Sequence, residues 1–250
     1  MKKLFIFAIS ALLLAGCQEG NTETTVGEGK IAIAASALGE VATRADGVTI
    51  EAPELAEFSL LITGTDFEKS WASLSDYRTD DERYLAGDYN VSIAWGDATE
   101  EGYSKPSFYA SEDCVVLDRN RTTTVNITAT VANAIVVINT TEAFDNYFPV
   151  SDFTVTTTAN TFEYDKQATE HLFVAAGQDV KIDCTCIRQA NVASGKTEAL
   201  ATQTIASTTA ATRYVVTYDL TSTGGVTISV TLNDTVIDTI DVETELNPNA

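Results

Sequence analysis

The chain has one histidine, His171, in Thr169-Glu170-His171-Leu172-Phe173, so any histidine-dependent triad or metal centre would have to be built on it. No G-x-S-x-G, H-E-x-x-H, phosphate-loop or dinucleotide glycine pattern occurs. Those spacings place a nucleophile on a tight turn, two imidazoles on one helical face, or backbone amides around a phosphate. His171 is therefore expected at a strand edge ahead of Gly177. Carboxylates such as Asp80-Asp81-Glu82 and Glu100-Glu101 are so plentiful that no single pair points to glycosidase chemistry. Asp80, Asp81 and Asp97 offer hard oxygen ligands of the kind calcium takes, but without calcium-loop spacing solvated loop charge is their expected role. Cys184 and Cys186 alternate onto the apolar face of one extended segment, where i and i+2 thiols are poorly placed to bond each other. With no second cysteine pair or histidine beside them they read as small buried residues, and no zinc is expected. Catalytic residues, cofactors and metal ligands are all expected to be none.

Aromatic side chains supply a different chemistry. Trp71, Tyr77, Tyr84, Trp95, Tyr103 and Tyr109 fall in the first half of the chain and could form a platform on which sugar rings stack, with Trp71 and Tyr103 the leading candidates. Trp95 shares a strand face with Tyr89 and Ile93, which makes it a core residue first.

The amino terminus carries a modification signal. Met1-Lys2-Lys3 is positive, Leu4 to Leu14 is an almost unbroken apolar run, and Leu14-Ala15-Gly16-Cys17 closes it with small residues. This is the layout of a signal peptide. The run falls short of the roughly 20 residues a spanning helix needs. Leu-Ala-Gly-Cys looks like a bacterial lipobox, so residues 1–16 are expected to be removed and Cys17 to take the lipid. Acyl chains contribute about 0.8 kcal/mol per buried methylene and tether a protein without any spanning helix. Residues 17–29, polar and rich in Gly, Thr and Glu, read as a flexible tether.

The 36 acidic residues outnumber 15 basic ones, a formal charge of −21 that becomes −23 once Lys2 and Lys3 leave with the leader. Phosphate recognition depends on basic side chains, so nucleic acid is excluded as a partner. The acid reads as a solvated extracytoplasmic surface. Besides Cys17, Cys114, Cys184 and Cys186 remain, an odd count that allows at most one intramolecular disulfide.

Positioning falls to strands. Tyr89, Val91, Ile93 and Trp95 alternate with polar neighbours, as do Val125, Ile127, Ala129 and Val131, and again Val226, Ile228, Val230 and Leu232. Period-two alternation in β-branched, Thr-rich segments is the pattern of strands with one buried face. Turns at Thr221 to Gly225 and at Asn233-Asp234 predict a closing three-strand meander of Tyr214–Leu220, Val226 onward and Val236–Val242. Only Phe67 to Asp76 and Ala190 to Leu200 could hold a turn of helix. The expected fold is all-β, with antiparallel sheets packed as sandwiches of transthyretin or immunoglobulin type. Ala86-Gly87-Asp88 and Ala176-Gly177-Gln178 each lead into an alternating strand, Phe58 before Leu60-Ile62 has a counterpart in Phe153 before Val155, and Thr124–Val131 has one in Tyr214–Leu220. This weak repeat predicts two tandem sandwich domains, 30–131 and 132–250.

At this point the lipobox, Thr43-Arg44-Ala45 after a first short strand, Leu85-Ala86-Gly87-Asp88-Tyr89, Lys105-Pro106-Ser107-Phe108-Tyr109 and the link Val131-Ala132-Asn133-Ala134-Ile135-Val136-Val137 resemble domain-of-unknown-function lipoproteins of Bacteroides-like bacteria, distantly similar to fimbrillin-type pilins and adhesins. In the fimbrillin-like relatives the first strand is cut away at an Arg and the vacated groove accepts a strand from the next subunit. Carried over, the resemblance implies Ile31 to Ala37 as the removable strand and cleavage after Arg44. It implies a non-enzymatic, lipid-anchored outer-membrane protein of the cell envelope, surface-exposed, acting in adhesion or fimbria-like assembly. Its partners would be the membrane, through the lipid on Cys17, and other envelope or fimbrial subunits. The alternative is a glycan-binding accessory lipoprotein for polysaccharide uptake, and a glycoside hydrolase stands third.

Overall fold

The fold is described from a computed structural model that covers residues 27–39, 49–189, 195–220, 226–232 and 235–242. The expected turns at Thr221 to Gly225 and Asn233-Asp234 lie outside these residues. Their strands in chain order are β1 (Glu28–Leu38), β2 (Ser59–Gly64), β3 (Phe67–Trp71), β4 (Tyr84–Leu85), β5 (Gly87–Trp95), β6 (Gly102–Tyr103), β7 (Phe108–Val116), β8 (Thr122–Val131), β9 (Ala134–Thr140), β10 (Val150–Thr156), β11 (Thr161–Tyr164), β12 (Leu172–Val174), β13 (Val180–Ile187), β14 (Thr197–Ala199), β15 (Gln203–Ile205), β16 (Thr212–Leu220), β17 (Val226–Leu232) and β18 (Thr235–Val242). The fold is all-β, and the alternating segments read from the sequence are β5, β8 and β17. The closing meander is β16, β17 and β18, paired antiparallel in that order.

A seven-stranded sheet runs β3-β2-β5-β7-β8-β1-β4, and a six-stranded sheet runs β18-β17-β16-β9-β12-β6. A third sheet runs β11-β10-β13-β14, with β15 also on β13. The antiparallel expectation has two exceptions of one kind: β1 runs parallel to β8, and β9 runs parallel to β16. β1 and β8 are the first and last strands of the seven-stranded sheet in chain order, whereas β9 and β16 are internal to the six-stranded one.

Apolar side chains gather in two cores. One holds Ile31, Phe58, Leu60, Ile62, Val91, Ile93, Ile127 and Val131 with their neighbours. The other lies between the six-stranded sheet and the third sheet, where Val136, Tyr214, Val216 and Tyr218 face Phe153, Val155, Ile182, Cys184 and Cys186. Sheets stacked face to face in this way hide one apolar side of each strand. Ile135 and Phe173 point the opposite way from Val136 and Leu172 and enter the first core. The six-stranded sheet therefore serves both cores.

Two local readings change. Phe67 to Asp76 forms β3 and a single 3-10 turn (Leu74–Asp76), because Phe67, Lys69 and Trp71 pair across β2. Among the described residues one α-helix, α1 (Glu142–Tyr147), appears where none was expected. Its N-cap Thr141 accepts a hydrogen bond from the Phe144 amide at 3.2 Å, and its buried Phe144 packs on Tyr218. A six-residue helix holding one buried side chain leaves almost no 3.6-residue periodicity to read.

Candidate functional site

The strand that opens the chain is held differently from its counterpart. β1 is in register with β8 from Lys30↔Thr122 to Leu38↔Thr130. Its other edge is covered by β4 only at Glu28↔Leu85 and Gly29↔Tyr84. From Ala32 onward that edge meets no strand among the described residues. Inward-facing positions shrink along the strand: Ile31 is fully buried, whereas Ile33, Ala35 and Ala37 are half-buried against the first core. Leu38 at the end is exposed. β9 is enclosed instead, with Ala134, Val136 and Ile138 in one core and Ile135 in the other. At roughly 25 cal/mol per Å² of apolar area, a strand of small residues buried on one face contributes much less than one buried on both. β1 is the weakly held member of the pair.

Close approach sets both ends of β1. A Cβ on Gly29 would lie 2.2 Å from the Leu117 carbonyl oxygen, and one on Gly39 would lie 1.6 Å from that of Ile50. The Gly39 carbonyl accepts from the Ile50 amide at 2.8 Å, on either side of the segment 40–48. Arg44 belongs to that segment and lies outside the described residues, as does Cys17.

Over the amino-terminal third of β1 lies the segment between β3 and β4. The Tyr77 hydroxyl donates to the Ile31 carbonyl at 2.5 Å, and the Tyr84 hydroxyl donates to the Tyr77 oxygen at 3.4 Å. Burial pushes both phenols above their ordinary range, Tyr84 the further, so both stay protonated donors. Lys30 pairs with Asp80 at 2.7 Å.

The aromatic candidates are separated. Trp71 packs edge-on against Tyr77, with ring centroids 5.0 Å apart, at the margin of the first core. Tyr103 lies against Tyr164 at the margin of the second core, and its hydroxyl accepts from the Asp165 amide at 3.1 Å. Tyr77 and Tyr84 are buried, and Tyr109 is the member of the set with an exposed ring. Trp95 packs against the first core beside Phe108, as its strand face implied.

His171 immediately precedes β12, where its carbonyl accepts from the Ser104 amide. Burial, with Arg213 nearby, holds its imidazole below the ordinary range and hence neutral at pH 7. Asp80 is in the Lys30 pair, and Asp97 caps its own turn by accepting from the Thr99 amide and hydroxyl. Cys184 and Cys186 are both buried free thiols. Among the described residues no group of three or more His, Cys, Asp or Glu side chains is placed to hold a metal.

Sequence reasoning passed over Glu101. Its carboxylate accepts from the Thr157 hydroxyl at 2.6 Å, the Asn160 amide at 2.9 Å, the Ala175 backbone amide at 3.0 Å and the Gln178 side-chain amide. Burial pushes its pKa up, but these four donors outweigh it and leave it below the usual carboxylate range. Nothing local to Glu100-Glu101 announces this, because every donor is more than fifty residues away.

Together these features define an all-β protein whose first strand is thinly held, its outer edge covered by β4 at two positions only. The chain belongs to a family defined by a domain of unknown function, DUF4493, which matches residues 27–248, and this bears out the family resemblance read from the sequence. No curated protein matches it. Among solved structures, a fimbrial assembly protein from Parabacteroides distasonis ATCC 8503 is 10% identical, with 82% of this chain and 98% of that one covered and a TM-score of 0.42. A candidate polysaccharide-binding protein from Bacteroides thetaiotaomicron VPI-5482 is 8% identical, covering 87% and 99% at a TM-score of 0.43. A candidate cell adhesion protein from Bacteroides eggerthii DSM 20697 is 9% identical, covering 82% and 95% at a TM-score of 0.43.

Proposed function

We propose that this is a non-enzymatic, lipid-anchored protein of the outer cell envelope, acting in surface adhesion or fimbria-like assembly through exchange of its first strand. The observation that carries the reading is the contrast between β1 and β9. Each lies parallel to a neighbouring strand, yet β1 has its outer edge covered at two positions only and one fully buried side chain, while β9 is buried on both faces. Withdrawal of β1 would bare the backbone edge of β8 and an apolar groove beside Ile127 and Ala129, which a strand from another subunit completes by the same pairing. Cleavage after Arg44 in the segment that follows β1 would free it. Lipidation at Cys17 would hold the uncut protein at the membrane, with residues 17–29 as tether and units 30–131 and 132–250 as its two folded parts; the fragment freed by the cut would carry the lipid away with β1.

Cutting the mature chain after Arg44 with an arginine-specific protease and imaging the product by electron microscopy tests the assembly. Ordered polymers from cut protein and single particles from uncut protein are expected; single particles from both would remove strand exchange. Mass spectrometry of protein purified from its native envelope tests the anchor, since an unmodified thiol at Cys17 or a retained leader would contradict it. The alternative is a glycan-binding accessory lipoprotein that would use Trp71 or Tyr103, rings that are half-buried and flank different cores; retention on polysaccharide affinity gels, lost in Trp71→Ala or Tyr103→Ala, tests it.

A further inference from the structure

We infer that the segment Tyr77–Ala86 is a strap that retains β1, so that the first strand leaves only when its contacts with the strap break. This rests on the strand-exchange reading and names its control. Strap contacts converge on the first residues of β1: the Ala86 amide donates to the Gly27 carbonyl at 2.7 Å, Tyr84 and Leu85 pair with Gly29 and Glu28, Asp80 meets Lys30, and the Tyr77 hydroxyl meets the Ile31 carbonyl. From Ala32 to Leu38 the same edge carries no ladder among the described residues. Peeling of β1 from its Leu38 end therefore breaks the Gly39–Ile50 bond, the half-buried contacts of Ala37, Ala35 and Ile33 and the β8 ladder as far as Ala32, and then meets the strap.

The strap is fastened independently of β1. At its base the Leu74 amide donates to the Phe58 carbonyl at 2.6 Å, and the Ser73 hydroxyl donates to the Ala56 carbonyl at 2.6 Å. At its centre Glu82 pairs with Lys69 of β3 at 2.6 Å. It therefore stays on the core while β1 leaves, and its contacts with β1 can be removed singly. The Tyr77 hydroxyl is the principal one, because it is buried and satisfies a strand carbonyl that no ladder reaches. A buried group that loses such a partner bears the full desolvation cost. Asp80 is largely exposed, so its pair with Lys30 contributes less.

The test uses the full mature chain, cut after Arg44 and checked by mass, with a fluorescent synthetic peptide of residues 27–44 in excess. Loss of the native fragment and uptake of the peptide are followed in the parent, in Tyr77→Phe and in Asp80→Asn. Uncut variants are first shown by circular dichroism and thermal unfolding to fold as the parent does. Exchange is expected to be about fivefold faster in Tyr77→Phe, the effect of one buried hydrogen bond, and about twofold faster in Asp80→Asn. Equal exchange rates in all three chains would overturn the strap and leave strand exchange standing. A fragment that never leaves any of them, at any peptide concentration, would overturn strand exchange and the strap with it.

Discussion

The Glu101 carboxylate accepts a hydrogen bond from the Thr157 hydroxyl at 2.6 Å, tying the loop between β5 and β6 to the turn between β10 and β11. With its three further donors it fastens a segment of the first half of the chain onto the second, next to the point where β6 joins the six-stranded sheet beside β12. The junction is reinforced at Asn133, whose side-chain oxygen accepts from the Ser107 amide at 2.6 Å and hydroxyl at 2.5 Å.

Glu101→Ala is expected to lower stability at pH 7 by about 1–2 kcal/mol, because four donors, of which Thr157 is buried and Ala175 and Gln178 are half-buried, lose a charged acceptor. The pKa of Glu101 is depressed in the fold, so its contribution is fully present above the ordinary carboxylate range and is lost as pH falls through the folded value. Urea unfolding of parent and variant from pH 7 down to pH 3 should show the gap between them closing only at the acid end. A gap that is constant with pH would rule out a charged acceptor.

β1 should exchange its amide hydrogens well before β9. Opening β1 exposes one fully buried side chain, and opening β9 disrupts both cores. Hydrogen exchange read by mass spectrometry on peptides spanning Lys30–Leu38 and Ala134–Ile138 measures the order, and equal protection would contradict the reading of β1 as weakly held.

Ile31→Ala removes the one fully buried side chain of β1 and should cost about 2–4 kcal/mol. The loss should appear mainly as faster β1 exchange, with β9 protection little changed. Gly39→Ala places a Cβ against the Ile50 carbonyl and should cost about 1–3 kcal/mol, measured by denaturant unfolding.

Thiol reagents should find the folded chain slow to react. Hydrogen bonding between Cys184 and Cys186, together with burial, raises the Cys184 thiol far above its ordinary range, and burial followed by the nearby Asp113 raises Cys114. Less thiolate is present at these two positions at pH 8 than in a free cysteine, and Cys186 is shielded by full burial, so a disulfide-exchange reagent should label all three at an ordinary rate only after denaturation.

Legibility followed the range of the interactions. β5, β8, β16 and β17 were readable because each alternates with period two over seven or more residues, and burial of one face leaves that period in the sequence. The parallel placement of β1 and β9 was not readable, since Ala34-Ala35-Ser36-Ala37 carries no mark of which strand it pairs with. Tyr77 was noticed as an aromatic ring, and its role proved to be that of a buried donor to Ile31, a contact 46 residues away. Glu101 looked like one more surface acid in an acidic chain. What separates it from Glu100, which pairs with Lys105 five residues on, is a set of distant donors that only the folded chain assembles.

Native mass spectrometry of the mature chain cut after Arg44 tests strand exchange most directly. The predicted result is a cut chain that sheds the fragment carrying β1 and appears in species holding two or more fragment-free chains. A fragment that stays bound one to one, with no chain-to-chain species at any concentration, would contradict the assignment of β1 as an exchangeable strand.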